Sequence, residues 1–187
     1  AGLVAVIREE KNHARFLRIA QAVHNQLPTA HFLLVGDGPE LPDYEQMARD
    51  LGIDDAVHFV GRRTDIPALL SELDLFLLTS DMEASPVSIL EAMACGLPVV
   101  STRVGSISET IADGVSGFLV EKTAEDEMAA RVTALLADPQ KSREMGNAGR
   151  QRVVADYSVE RMVEGYEDLL TELHERKGSV VNSPEIV

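Results

Sequence analysis

The sequence predicts an α/β fold: a doubly wound, Rossmann-like sheet of six parallel strands, with additional helices at the carboxyl end. Three observations carry this. Through residues 2–120, short apolar runs alternate with stretches of helical apolar period. The first of these, residues 2–7, is continuously apolar, the mark of a strand buried on both faces, and alternation of six strands with helices indicates a parallel sheet covered on both faces. After residue 120, apolar residues recur only at helical spacing. Crossovers in such sheets are right-handed, and ligands bind outside the carboxyl ends of the strands. The loops after Ile7, Val35, Val60, Thr79 and Ser101 are therefore where a site is expected.

Each element has its own signal. Residues 2–7 (GLVAVI) read as the first strand, and Phe16, Ala20, Val23 and Leu27 give residues 12–27 a helical stripe. Residues 31–35 (HFLLV) are a strand broken by Gly36-Asp37-Gly38-Pro39, and Leu41, Tyr44, Met47, Ala48 and Leu51 mark the next helix. Residues 57–60 are a strand, and Ile66, Leu69, Leu70 and Leu73 a short helix face. Strand 75–79 (LFLLT), helix 87–95, strand 97–101 (LPVVS), short helix 107–111 and strand 117–120 (GFLV) follow. Met128, Val132, Leu135 and Leu136 form a helix stopped at Asp138-Pro139, and Met145, Ala148 and Val153 a second. A long third runs from Val159 through Leu173. The domain is expected to span residues 1–177. Residues 178–187 have no period and read as a flexible tail.

Composition narrows the function. With 45% hydrophobic and 26% charged residues, the 187-residue chain can bury a core. No apolar run reaches the roughly 18 residues of a membrane span, and no basic leader precedes the first strand. The abrupt opening without Met suggests a piece of a longer chain. Seventeen Lys and Arg against 31 Asp and Glu give a net charge of −14, which disfavours nucleic acid and anionic membranes as partners. The lone cysteine, Cys95, excludes an internal disulfide and is expected to be a buried, inert thiol. The five histidines have no ligand spacing, so no metal is expected. There is no Gly-Lys pair for a phosphate loop and no G-x-S-x-G. Gly36-Asp37-Gly38 supplies two of the three glycines of a dinucleotide fingerprint, but Leu41 stands at the third and the strand is the second, which disfavours a nicotinamide dehydrogenase.

Two constellations rise above this background. Arg8-Glu9-Glu10-Lys11-Asn12 sets two cations after the first strand, where a helix N-terminus also favours an anion. The arrangement suits a diphosphate, and equally a solvated loop in which Glu10 caps a helix. The second runs from Asp81 to Glu91. Ser85 is the expected N-cap, Pro86 the first helical residue, and the N–H groups of Val87 and Ser88 remain free for a phosphate. Glu83 in the loop and Glu91 two turns into the helix could accept from sugar hydroxyls, or be ordinary surface glutamates.

The ordered segments V-A-V-I-R-E-E-K-N-H, L-L-V-G-D-G-P-E, H-F-V-G-R-R-T-D-I and E-A-S-P-V-S-I-L-E-A-M-A-C-G-L-P-V-V-S-T resemble the C-terminal, donor-binding half of the GT-B retaining glycosyltransferases of family 4, from about Gly2 to Tyr166. The resemblance implies that Arg8 and Lys11 grip the donor diphosphate and that Glu83, the first glutamate of an E-x7-E motif, lies at the donor sugar. It implies that Glu91 accepts from the ribose, that Ser85, Pro86, Val87 and Ser88 face phosphate and sugar, and that Gly36 lies near the diphosphate. Gly61, Arg62 and Arg63 would line the base through backbone atoms, and Glu109 would be structural. Two departures stand out: Arg8 precedes Lys11 by three residues where many members have five, and Ala84 stands where Gly is common.

The resemblance further implies a nucleoside diphosphate sugar as substrate, an acceptor hydroxyl on a glycan, lipid or small molecule, no cofactor, and metal-independent retaining transfer. The N-terminal acceptor domain would be absent, leaving the isolated chain inactive. A cytoplasmic location is expected, with any membrane contact peripheral and made through that domain. The alternatives are a nucleotide-sugar binding module without catalysis and a nucleotide-sugar epimerase on the same fold.

Overall fold

The strands are β1 (Gly2–Val4), β2 (Phe32–Val35), β3 (Val57–Phe59), β4 (Phe76–Leu78), β5 (Val99–Thr102) and β6 (Gly117–Val120) in a computed structural model, which describes residues 1–181. All pair in parallel, in the order β3-β2-β1-β4-β5-β6. The helices are α1 (His13–His24), α2 (Leu41–Asp50), α3 (Ile66–Ser71), α4 (Val87–Ala94), α5 (Ile107–Thr110), α6 (Glu125–Ala137), α7 (Pro139–Asp156) and α8 (Val159–Val181). The predicted α/β class and its elements are therefore present.

The strand order decides where a ligand can sit. The chain moves outward from β1 to β3, returns to β4 beside β1, and moves outward again on the other side. Right-handed crossovers on the two sides place their helices on opposite faces. Accordingly α1 packs against α2 and α6, and α4 against α3 and α7. Phe16 of α1 meets Phe32 of β2 edge-on with centroids 6.1 Å apart, and Leu3, Phe76, Leu77, Val99 and Val100 fill the centre without solvent contact. Between β1 and β4 the connections diverge, opening a crevice at the strands' carboxyl ends.

Several details differ from the sequence reading. β1 ends at Val4 because residues 5–7 leave regular pairing, although Ala5 and Ile7 still donate to Val35 and Asp37 carbonyls at 3.0 Å. Cys95 is exposed, since it is the C-cap residue of α4 and projects past the helix end. α8 continues to Val181, past the Gly178 where the tail was expected to begin; residues 182–187 lie outside the described residues. Val159, Met162, Val163, Tyr166, Leu169, Leu170 and Leu173 of α8 form an apolar stripe that remains exposed. Among the described residues no helix is long and apolar enough to cross a membrane.

Candidate functional site

The loops leaving β1 and β4 meet at the crevice. Lys11 Nζ donates to Glu83 Oε1 at 2.7 Å, across 72 residues of sequence. The Glu83 side chain is only 6% exposed and that of Lys11 22%. Ser80 Oγ donates to the same oxygen at 2.6 Å, and the Ser80 carbonyl accepts from Thr102 Oγ1 at 2.6 Å. The Glu83 carboxylate is thus fixed from two sides through one oxygen. Its backbone is held as tightly: a Cβ on Gly105 would lie 1.7 Å from the Glu83 carbonyl oxygen, and Gly105 has φ +55. Only glycine fits both the space and that left-handed backbone. Ser106 donates through Oγ and N–H to the Ala84 carbonyl.

Local rules explain how Lys11 reaches this place. A single 3-10 turn, Glu9–Lys11, ends at Asn12, whose left-handed backbone (φ 48, ψ 58) asparagine tolerates. Asn12 Oδ1 then accepts from the Arg15 N–H at 3.0 Å and caps α1, the role left open for Glu10. The next residue, His13, is fully buried with its ring 5.3 Å from that of Tyr44, and neither ring nitrogen has a hydrogen-bond partner. Burial first, and the nearby Lys11 charge second, push its pKa down to about 4.

The other side of the crevice is looser. Val6, Gly36, Asp37, Arg62, Arg63 and Ile66 help line an open cavity of about 490 Å³ beyond β1, β2 and β3. A Cβ on Gly36 would fall 1.8 Å from the Ala5 carbonyl oxygen, so glycine is required for the two loops to touch. Gly36 N–H donates to the Gly61 carbonyl at 2.9 Å. A neighbouring cavity of about 470 Å³ includes Arg8, Asp37 and Gly38. Arg8 is 67% exposed and only 3.9 Å from Glu10. Arg63 is bidentate to its neighbour Asp65, at 2.7 and 2.8 Å, and this hydrogen bonding is the main cause holding the Asp65 pKa at about 2.

The helix at the crevice starts one residue later than expected. Pro86 keeps an extended backbone (φ −72, ψ 110) and occupies the N-cap position, so Val87 is first in the helix and the exposed Ser85 caps nothing. The Val87 and Ser88 N–H groups, as first-turn donors, have no acceptor inside α4. Glu91 lies exposed on α4, further from the loop.

The structure therefore brings Lys11 and Glu83 into contact, with Val87 and Ser88 in the same loop-helix segment as Glu83. Gly36, Gly61, Arg62 and Arg63 gather in the open half. Arg8 and Glu91 stay at the surface. Sequence reasoning missed Ser80, Asn12 and Gly105. Asn12 had a signal, an Asn directly before a helical stripe; Ser80 had none. Among the described residues no group of three or more His, Cys, Asp or Glu could hold a metal ion.

Residues 1–152 match the family described as glycosyl transferases group 1. The chain belongs to that family. It is 40% identical over 140 residues to the N-acetyl-alpha-D-glucosaminyl L-malate synthase of Bacillus anthracis, covering 75% of this chain and 37% of that enzyme. It is 35% identical over 151 residues to the GDP-mannose-dependent alpha-(1-6)-phosphatidylinositol monomannoside mannosyltransferase of Mycolicibacterium smegmatis, covering 75% and 39%. The solved structure of Anabaena HepE with UDP and glucose superimposes with a TM-score of 0.80 at 26% identity, covering 91% of this chain and 47% of that one. The C-terminal domain of the group 1 glycosyl transferase LpcC from Francisella tularensis gives 0.77 at 25% identity, covering 84% of this chain and 85% of the domain. The chain thus spans well under half the length of the two curated relatives.

Proposed function

We propose that this chain is the donor-binding, C-terminal half of a family 4 retaining glycosyltransferase, which moves a sugar from a nucleoside diphosphate sugar to an acceptor hydroxyl. The observation that carries the reading is the contact between Lys11 and Glu83 at the switch point between β1 and β4. It sets a cation for a diphosphate beside a carboxylate for sugar hydroxyls, at the opening of α4. The match to the LpcC C-terminal domain over most of both chains supports the C-terminal position. The HepE structure with UDP and glucose supports a nucleotide-sugar donor. The exposed stripe on α8 supports a further domain, which would bind the acceptor and carry any peripheral membrane contact of a cytoplasmic enzyme.

The chemistry follows from charge. As the sugar leaves, negative charge builds on the diphosphate and positive charge on the sugar ring. Lys11, Arg8 swinging in from solvent, and the Val87 and Ser88 N–H groups stabilise the diphosphate without a metal. Glu83 keeps Oε2 free to accept a sugar hydroxyl while Lys11 and Ser80 hold Oε1. Glu91 accepts from the ribose, and the base lies along Gly61, Arg62 and Arg63, with Gly36 near the diphosphate. Departure and attack take place on one face of the sugar, so the anomeric configuration is kept.

The test is a thermal-shift panel of UDP, GDP, ADP and NAD. A nucleoside diphosphate at 100 times its dissociation constant should stabilise by about 2.7 kcal/mol, or roughly 5–11 °C at this size, and NAD should do nothing. The isolated chain should bind yet transfer no sugar, because orienting the acceptor supplies about 7–11 kcal/mol of rate enhancement. Acceptor-dependent turnover by the 187 residues alone would contradict the division of labour. Binding of NAD and not of nucleoside diphosphates would contradict the donor assignment.

A further inference from the structure

Beneath the Lys11–Glu83 contact lies a second polar assembly that no part of the donor chemistry uses. Arg15, on the first turn of α1, is buried, and its side chain is only 9% exposed. Nη1 donates to the Thr79 carbonyl at 2.7 Å and Nη2 to Asp81 Oδ1 at 2.9 Å. Nε lies 3.5 Å from Glu125 Oε1, and Arg18 holds Glu125 from solvent at 2.6 and 2.8 Å. Asp81 Oδ2 accepts from Asn12 Nδ2 at 2.7 Å, while the Asp81 N–H donates to the Glu10 carbonyl at 2.8 Å. Thr79 Oγ1 reaches the Lys11 and Asn12 carbonyls at 3.2 Å.

Apart from the contacts of Arg15 and Arg18 with Glu125, every one of these bonds joins residues 10–15 to residues 79–81. The first contains Lys11, and the second leads directly into Glu83. Asp81 accepts from Arg15 with one oxygen and from Asn12 with the other, so its position is set in two directions. Burial works to raise its pKa, but the hydrogen bonds from Asn12 and Arg15 more than offset this and keep the carboxyl ionised below the ordinary range.

We infer that Arg15, Asp81 and Asn12 form a positioning clamp that locks the loop carrying Lys11 to the loop carrying Glu83, so that the diphosphate and sugar contacts stand in register before a donor arrives. The inference rests on the donor reading of Lys11 and Glu83 for its functional half, and on geometry alone for its structural half. Arg15 and Asp81 touch no substrate in this account. They act through the loops they join. A site fixed in this way loses little conformational freedom on binding, which improves affinity without adding a contact.

The test uses a hydrogen-bond swap. Asp81→Asn turns an acceptor into an NH₂ group facing the Asn12 NH₂, breaking that arm while Arg15 keeps an oxygen partner. Asn12→Asp sets two carboxylates face to face. The double variant Asn12→Asp with Asp81→Asn exchanges donor and acceptor and restores the bond, and a carboxylate at position 12 still caps α1. Hydrogen exchange read over residues 8–12 and 79–84 should rise about tenfold in each single variant and return toward wild type in the double. Affinity for whichever of UDP, GDP or ADP the wild type binds should fall about tenfold in Asp81→Asn and recover in the double. Unchanged exchange in both single variants overturns the clamp, whatever the nucleotides do. Loosened loops with unchanged nucleotide affinity overturn its role in donor binding. Loosened loops in a chain whose wild type binds none of the three nucleotides overturn the donor reading and leave the clamp standing.

Discussion

The two halves of the crevice are built differently. Around Glu83 the side chain, the backbone and the partner Lys11 are all fixed by other protein groups: Ser80, Thr102, Gly105, Ser106 and the capped start of α1. Around Gly36, Gly61 and Arg62 the cavity is open, Arg63 is occupied by its own neighbour, and Arg8 stands in solvent. On the proposed donor reading, the more tightly bonded half is the one where charge would change during transfer. Preorganised dipoles and charges stabilise a departing group without reorganising at that moment. On the same reading, the far half would need only a surface against which a base can lie.

Substitutions should expose this contrast, beginning with the largest effect. Gly105→Val drives a branched side chain into the Glu83 carbonyl at a left-handed backbone, and should destabilise by more than about 3 kcal/mol in urea unfolding. The next effect belongs to His13. Its folded pKa of about 4 lies below the ordinary value of 6.5, so on acidification the unfolded chain takes up the proton first. Stability should be complete above about pH 6.5 and fall by about 3 kcal/mol as pH drops toward 4. His13→Leu should flatten that slope in unfolding measured pH by pH, and a slope unchanged by the substitution would mean that other groups cause it.

Smaller effects belong to the open half and the surface. Glu91→Gln should weaken nucleoside diphosphate binding by about 1.5–3 kcal/mol and leave inorganic pyrophosphate binding nearly unchanged in calorimetry, as expected of a charged acceptor to ribose. Equal losses for both ligands would point away from the ribose. Arg62→Ala should change nucleotide affinity less than about threefold, the behaviour of an exposed cation whose backbone does the lining. A loss as large as that of Glu91→Gln would make the open half as specific as the built one, and the contrast would fail.

How far the sequence could lead follows the same division. Short, mostly apolar runs marked the strands, most clearly in the central ones, where burial on both faces leaves no room for alternation. The helix start read at Ser85-Pro86 set Glu83 in a loop and Glu91 on the following helix. The Lys11–Glu83 contact was not readable from spacing, since 72 residues separate them and only the placement of β1 beside β4 joins their loops. Cys95 misled because its apolar neighbours suggested burial, whereas the C-cap position turns it outward. Ser85 misled because its residue type suits a cap, while Pro86 takes the N-cap position and its extended backbone delays the helix by one residue. The Arg15–Asp81 bond joins two ordinary-looking surface types through tertiary contact, and no local pattern announces it.

The claim at the centre is that Lys11 and Glu83 form one prebuilt donor site at the switch point. Lys11→Met tests it most directly, because it keeps most of the apolar stem and removes the ammonium group together with its bond to Glu83. In isothermal titration of UDP and GDP into the wild type and the variant, the wild type should bind at least one nucleotide. The variant should lose about 2–3 kcal/mol of that binding, with its secondary structure retained and its unfolding still cooperative. Nucleotide binding of equal affinity in a folded Lys11→Met variant would contradict it.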